Sequence, residues 1–195
     1  MKRNILIVAF VQVLLLCGMV AAKQYTLNTG EPILLETQPI DPRSLFRGDY
    51  VRLNYAVSNL SLEELGGDDN FERHDDAWVV LEKDGDEAFG YHKPVSVHHE
   101  KPESGLAIKG KVQFVRSTTR DPEAGTSIPR ASLAMRYGIE NYFVPENTGR
   151  ELEIRRQADG QENRVDIRVA VDSFGKAGIK AVLVNGEERY VERLF

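Results

Sequence analysis

Apolar positions follow two regimes along this chain. From Ile5 to Ala22 they run unbroken except at Gln12 and Gly18, behind a basic start at Lys2 and Arg3. A run of that length without charge predicts one hydrophobic helix able to cross a bilayer. After Lys23 the apolar residues come in short alternating bursts, which is the period of half-buried strands. Tyr25 to Gln38 predicts a strand broken at Gly30-Glu31-Pro32. Val51, Leu53, Tyr55 and Val57 alternate with Arg52, Asn54, Ala56 and Ser58 and predict the clearest early strand. Further strands follow from Ala77 to Leu81, with a return through Ala88 to His92 across Asp84-Gly85, and from Val95 to His99. Leu106 to Arg116 is another, in which Gly110 predicts a bulge or a close backbone approach. Ala131 to Tyr137 and Arg164 to Val171 also alternate. Ala181 to Val184 and Arg189 to Val191 form a hairpin across Asn185-Gly186.

Helical signals are sparse after the first segment. Ser61 and Glu64 have the spacing of a capping box and predict one turn between Ser58 and Leu65. A second short helix is expected from Asn147 to Gln157, with Leu152 and Ile154 inward. Ser117 to Pro129 reads as loop. The expected fold is therefore mainly β, a Greek-key-like barrel or sandwich with one or two short helices, preceded by one N-terminal hydrophobic helix. Residues 1–22 form the anchor or signal segment and residues 23–195 a single domain.

The first segment has two readings. Val20-Ala21-Ala22 before Lys23 has the small residues of a signal-peptide cleavage site. The run is also just long enough for an uncleaved span. Lys2 and Arg3 on the short leading side place the N-terminus in the cytoplasm in either case, and the domain outside it, in the periplasm of a two-membrane host. Cys17 follows Leu16 and so lacks the small residue of a lipid-attachment site.

Asp41-Pro-Arg-Ser-Leu-Phe-Arg-Gly-Asp49 is a turn feeding the early strand, with Pro42 and Gly48-Asp49 setting the bends. Gly48, Asp49, Tyr50, Leu53 and Tyr55 match the motif GDYXXLXY, and the chain resembles the family named for it. Tyr137-Gly-Ile-Glu-Asn-Tyr-Phe-Val-Pro-Glu146 and the closing Ala181-to-Gly186 strand also look like that family. The family has no established biochemical activity. The resemblance implies one membrane-spanning segment, which favours the anchor over cleavage, and company with polytopic membrane proteins. Candidate motif or interaction residues are Arg47, Gly48, Asp49, Tyr50, Leu53, Tyr55, Tyr137, Glu140, Tyr142, Phe143, Pro145 and Glu146. Tyr137, Tyr142 and Phe143 are expected to pack on the early strand, with Glu140 and Glu146 facing Arg47 or Arg52.

Charge and chemistry narrow the choice. A net charge of -5 argues against a nucleic-acid partner. The sole cysteine lies in the apolar run, so the domain has no disulfide and no thiolate metal ligand. His74, His92, His98 and His99 lack a ligand spacing, and no metal or cofactor is expected. A signal-peptidase-like pattern is partly present in Leu45, Gly48, Asp49 and Val51, with Lys109 or Lys111 standing in for the base. Its nucleophile position holds Ile40, and Ser44 would need a different backbone geometry, so no acyl transfer is expected. A third reading is a ligand cleft lined by Tyr50, Tyr55, Tyr137 and Tyr142. The preferred expectation is a non-enzymatic, membrane-tethered accessory of an integral membrane protein, with a degenerate or active signal-peptidase-like hydrolase as the alternative.

Overall fold

Gly30 divides the chain into helix and sheet. In the computed structural model, which describes residues 2–38, 50–85, 90–120, 127–143 and 164–192, helix α1 runs from Lys2 to Thr29. Its stretch Asn4–Thr29 has a mean hydropathy of 2.8 over the most apolar window and is unburied there. The helix thus passes through the region where a strand was expected from Tyr25. Gly30 stops it, donating its amide to Thr26 O at 3.0 Å, and β1 (Glu31–Glu36) follows at once.

The strands build two large sheets and one small one. β1 pairs with β10 (Val165–Val171), which pairs with β11 (Ala177–Val184), which pairs with β12 (Glu187–Val191), all antiparallel. The turn between β11 and β12 is Asn185-Gly186, with φ of 53° and 83°, the primed hairpin expected from that dipeptide. The six-stranded sheet has the order β3 (Asn59–Ser61), β8 (Ser127–Arg136), β7 (Leu106–Arg120), β5 (Asp76–Lys83), β6 (His92–His98), β4 (Gly66–Gly67). Only the short β4–β6 pairing in it is parallel. The two-stranded sheet pairs β2 (Tyr50–Arg52) with β9 (Asn141–Phe143). Apolar faces of both large sheets meet in one core that includes Ile33, Val79, Ile108, Leu133 and Ile167. The mainly β fold behind one apolar helix is as the alternation predicts.

Two local expectations give way to pairing, and one is met in part. The early strand keeps its alternation, with Leu53, Tyr55 and Val57 buried, but β2 ends at Arg52 and a 3-10 turn occupies Ala56–Ser58. Ser61 ends β3, and the turn expected after it forms at 62–64 with Glu64 N donating to Ser61 O at 3.2 Å, without continuing as a helix. Residues 117–120 and 127–129, expected as loop, extend the β7–β8 ladder, with Thr119 opposite Ile128. The helix expected from Asn147 to Gln157 lies outside the described residues, as does part of the return strand before His92.

Candidate functional site

The two family-like motifs fold onto each other. Tyr50, Val51 and Arg52 pair with Phe143, Tyr142 and Asn141, and the Leu53 amide donates to Glu140 O at 2.7 Å. A bridge from Thr37 to Tyr55, with Gln38 N donating to Asn54 O, ties the end of β1 to the same segment. The first motif therefore closes the gap between the four-stranded sheet and the chain leaving β8. Two phenols lock the closure reciprocally. Tyr55 donates to Ile139 O at 2.6 Å, while Tyr137 donates to Val57 O at 2.7 Å. Room for the Tyr137 ring comes from Gly110, where a Cβ would sit 2.8 Å from two of its carbons. The close approach expected at Gly110 is this ring.

Electrostatics keep these rings neutral. Burial, then the nearby Glu140 carboxylate, pushes both the Tyr55 and the Tyr137 hydroxyl well above the usual phenol range. Each remains a hydrogen-bond donor to backbone, a role that holds structure. Glu140 accepts from the amides of Tyr137 and Gly138 and lies 3.6 Å from Arg136 Nε. Its carboxylate thus tightens its own turn; the Arg47 and Arg52 side chains expected to face it lie outside the described residues.

Of the sequence candidates, Leu53, Tyr55, Tyr137, Glu140 and Tyr142 come together in this closure. Phe143 is on β9 with its side chain outward. Tyr50 contributes described backbone only, and Arg47, Gly48, Asp49, Pro145 and Glu146 lie outside the described residues. Tyr55, Tyr137 and Tyr142 are buried and do not gather into an open aromatic cleft; of the three, Tyr137 borders the cavity described next.

An open cavity of about 410 Å³ lies beside the closure, between the end of α1 and the start of the second motif. Lys23, Lys109, Lys111, Arg136 and Lys176 line it with one carboxylate, Asp76. Asp76 binds Lys109 Nζ at 2.9 Å and Lys111 Nζ at 3.0 Å. Hydrogen bonds from Lys109 and then Lys111 hold the Asp76 carboxyl below its usual range. The two lysines weighed as hydrolase bases are 39% and 55% exposed and engaged in ion pairs, a poor setting for a general base. Ile40 and Ser44, the other positions of that reading, lie outside the described residues.

Sequence reasoning missed this cleft because its cations come from α1, β7, β8 and the loop before β11. The available signal was the alternation of Lys109 and Lys111 on the outer face of β7. The histidines stand apart. His92 accepts from the Leu34 amide, His98 contacts Ser96, and His99 contacts Asn70 and stacks on Phe71.

The model of the GDYXXLXY protein family matches residues 12–182. No curated protein and no solved structure matches the chain.

Proposed function

The chain belongs to the GDYXXLXY protein family, and we propose that it is a single-pass, membrane-tethered β domain acting as a non-enzymatic accessory of an integral membrane protein. The observation that carries this reading is the junction between span and domain. Thr26 and Leu27, in the last turn of α1, are buried against the domain. Thr26 donates its hydroxyl to Asp172, and Leu27 covers Gly178 on β11. Gly30 fits against Ala170 and Val171, where a Cβ would lie 2.9 Å from Ala170 Cβ. A tether that only localises its cargo needs no such fit. A junction without a linker fixes the height and orientation of the domain over the bilayer, so that one face is held toward a neighbouring membrane protein.

The same junction favours an anchor over a cleaved signal. Val20-Ala21-Ala22 is helical and continues without a break into the packed turn, whereas a peptidase binds its substrate extended. Lys2 and Arg3 support a cytoplasmic N-terminus and an extracytoplasmic domain. The phenols bonded to backbone and the lysines bonded to Asp76 support a role without bond chemistry. Cross-linking in intact cells, then purification of the full chain in mild detergent, tests the proposal. A specific polytopic membrane protein should be recovered; recovery of this chain by itself would contradict it.

A further inference from the structure

The cationic cleft and an exposed aromatic pair occupy the same end of the domain, where α1 enters it. We propose that this end is a headgroup site for an anionic phospholipid of the membrane that α1 spans. The inference rests on the tethered reading and adds a ligand to it.

Depth comes first. The apolar run Ile5–Ala22 covers about 18 residues, or ~27 Å of helix, close to the ~30 Å hydrocarbon core of a bilayer. Ala22 and Lys23 then sit at the polar boundary, and both line the cleft. A cavity with a wall made by the last turns of a span opens at the level of lipid phosphates.

Charge comes second. Five cations line the cleft against Asp76, with Glu140 behind Arg136. Among the described residues no carboxylate forms an ion pair with Lys23 or Lys176. This concentration of positive charge lies on a chain of net charge -5, so it departs from the background of the molecule. Basic groups at that depth are drawn to anionic lipid within about one Debye length.

The aromatic pair decides the source of the anion. Tyr25 is 45% and Phe174 63% exposed, with ring centroids 6.2 Å apart. Tyr25 follows Lys23 by two residues, and Phe174 precedes Lys176 by two. Asp172 holds the Phe174 loop in shape by accepting from the Phe174 and Lys176 amides. Large exposed rings beside lysines suit the headgroup layer, where an apolar body and a charged neighbour are both solvated. A soluble anion would leave both rings in water.

The test titrates the full chain in nonionic detergent micelles with phosphatidylglycerol, phosphatidylcholine or inorganic phosphate. Trp78 is the reporter, because it is the only tryptophan and Lys109 Nζ lies 5.8 Å from its ring centroid. Phosphatidylglycerol should bind saturably and about tenfold or more tighter than phosphatidylcholine. The K23Q/K176Q variant should lose about tenfold of that preference at unchanged thermal stability, since neither lysine is ion-paired among the described residues. Lys83→Gln is the control, ~23 Å along β5 from Asp76 at about 3.3 Å per residue, and should leave binding intact. Equal binding of the two lipids, no effect of K23Q/K176Q, or inorganic phosphate saturating the site as tightly as the lipid would overturn the proposal. A chain that stays soluble without detergent or lipid would instead remove the tether, and this site with it.

Discussion

Tyr55 and Tyr137 each donate a hydroxyl hydrogen bond to a carbonyl beside the other ring. Replacing either by Phe preserves the ring and leaves a buried carbonyl unsatisfied, which costs about 1–3 kcal/mol. Denaturant unfolding should show that loss for Tyr55→Phe and for Tyr137→Phe, with the chain still in the membrane fraction. The alternation already assigns both rings to the interior. Their partners Ile139 and Val57 were not legible, because hydrogen bonds across 80 or more residues leave no local periodicity. His92 offers a pH test. Its ring accepts the Leu34 amide from the other large sheet, and burial, aided by Lys83 and opposed by Glu31, lowers its proton affinity. The unfolded chain then binds more protons than the folded one just below pH ~6.5. Stability from this group is complete above that pH and declines as pH falls toward the lowered folded value. His92→Gln should flatten the unfolding midpoint between about pH 5 and 7, leaving the carboxylate-driven loss at lower pH.

The helix end and the sheet edge carry the next test. Thr26→Val keeps the shape of the side chain and removes the donor to Asp172, a bond to a charged acceptor worth about 1.5–3 kcal/mol. Hydrogen exchange should then quicken at the Phe174 and Lys176 amides, which share that carboxylate, and remain slow at Val79 and Ile108. Equal protection at all four positions would mean that Thr26 does not hold the junction. Residues Tyr25 to Thr29 read as strand from their β-rich composition, yet they are helical. A helix already nucleated over the apolar run extends cheaply until Gly30 ends it. The β11–β12 hairpin was legible because Asn185 and Gly186 take the positive φ its turn requires. The outer β7–β8 ladder was not, since Ser, Thr and Pro there resemble a loop until their cross-strand partners are known.

For the molecule as a body, charge and exposure separate by position. The apolar side chains of α1 from Ile5 to Val20 are exposed, the domain beyond carries one shared core, and lysines gather where the two meet. That layout suits a bilayer around α1 and water around the sheets, joined at a fixed angle. The family motifs serve it by closing one sheet onto the other and by lining the cleft with Tyr137 and Gly138. The mainly β class, the apolar helix and the burial of Leu53 and Tyr55 all follow from hydrophobic spacing. The cleft does not, because it is assembled from segments far apart in the chain. The most direct measurement is the intact mass of the expressed chain, taken from the carbonate-washed membrane fraction. The expected species is the 22.0 kDa chain with α1 attached, retained in the membrane. A domain beginning at Lys23 and recovered in the soluble extracytoplasmic fraction would contradict the tether on which the proposed function rests.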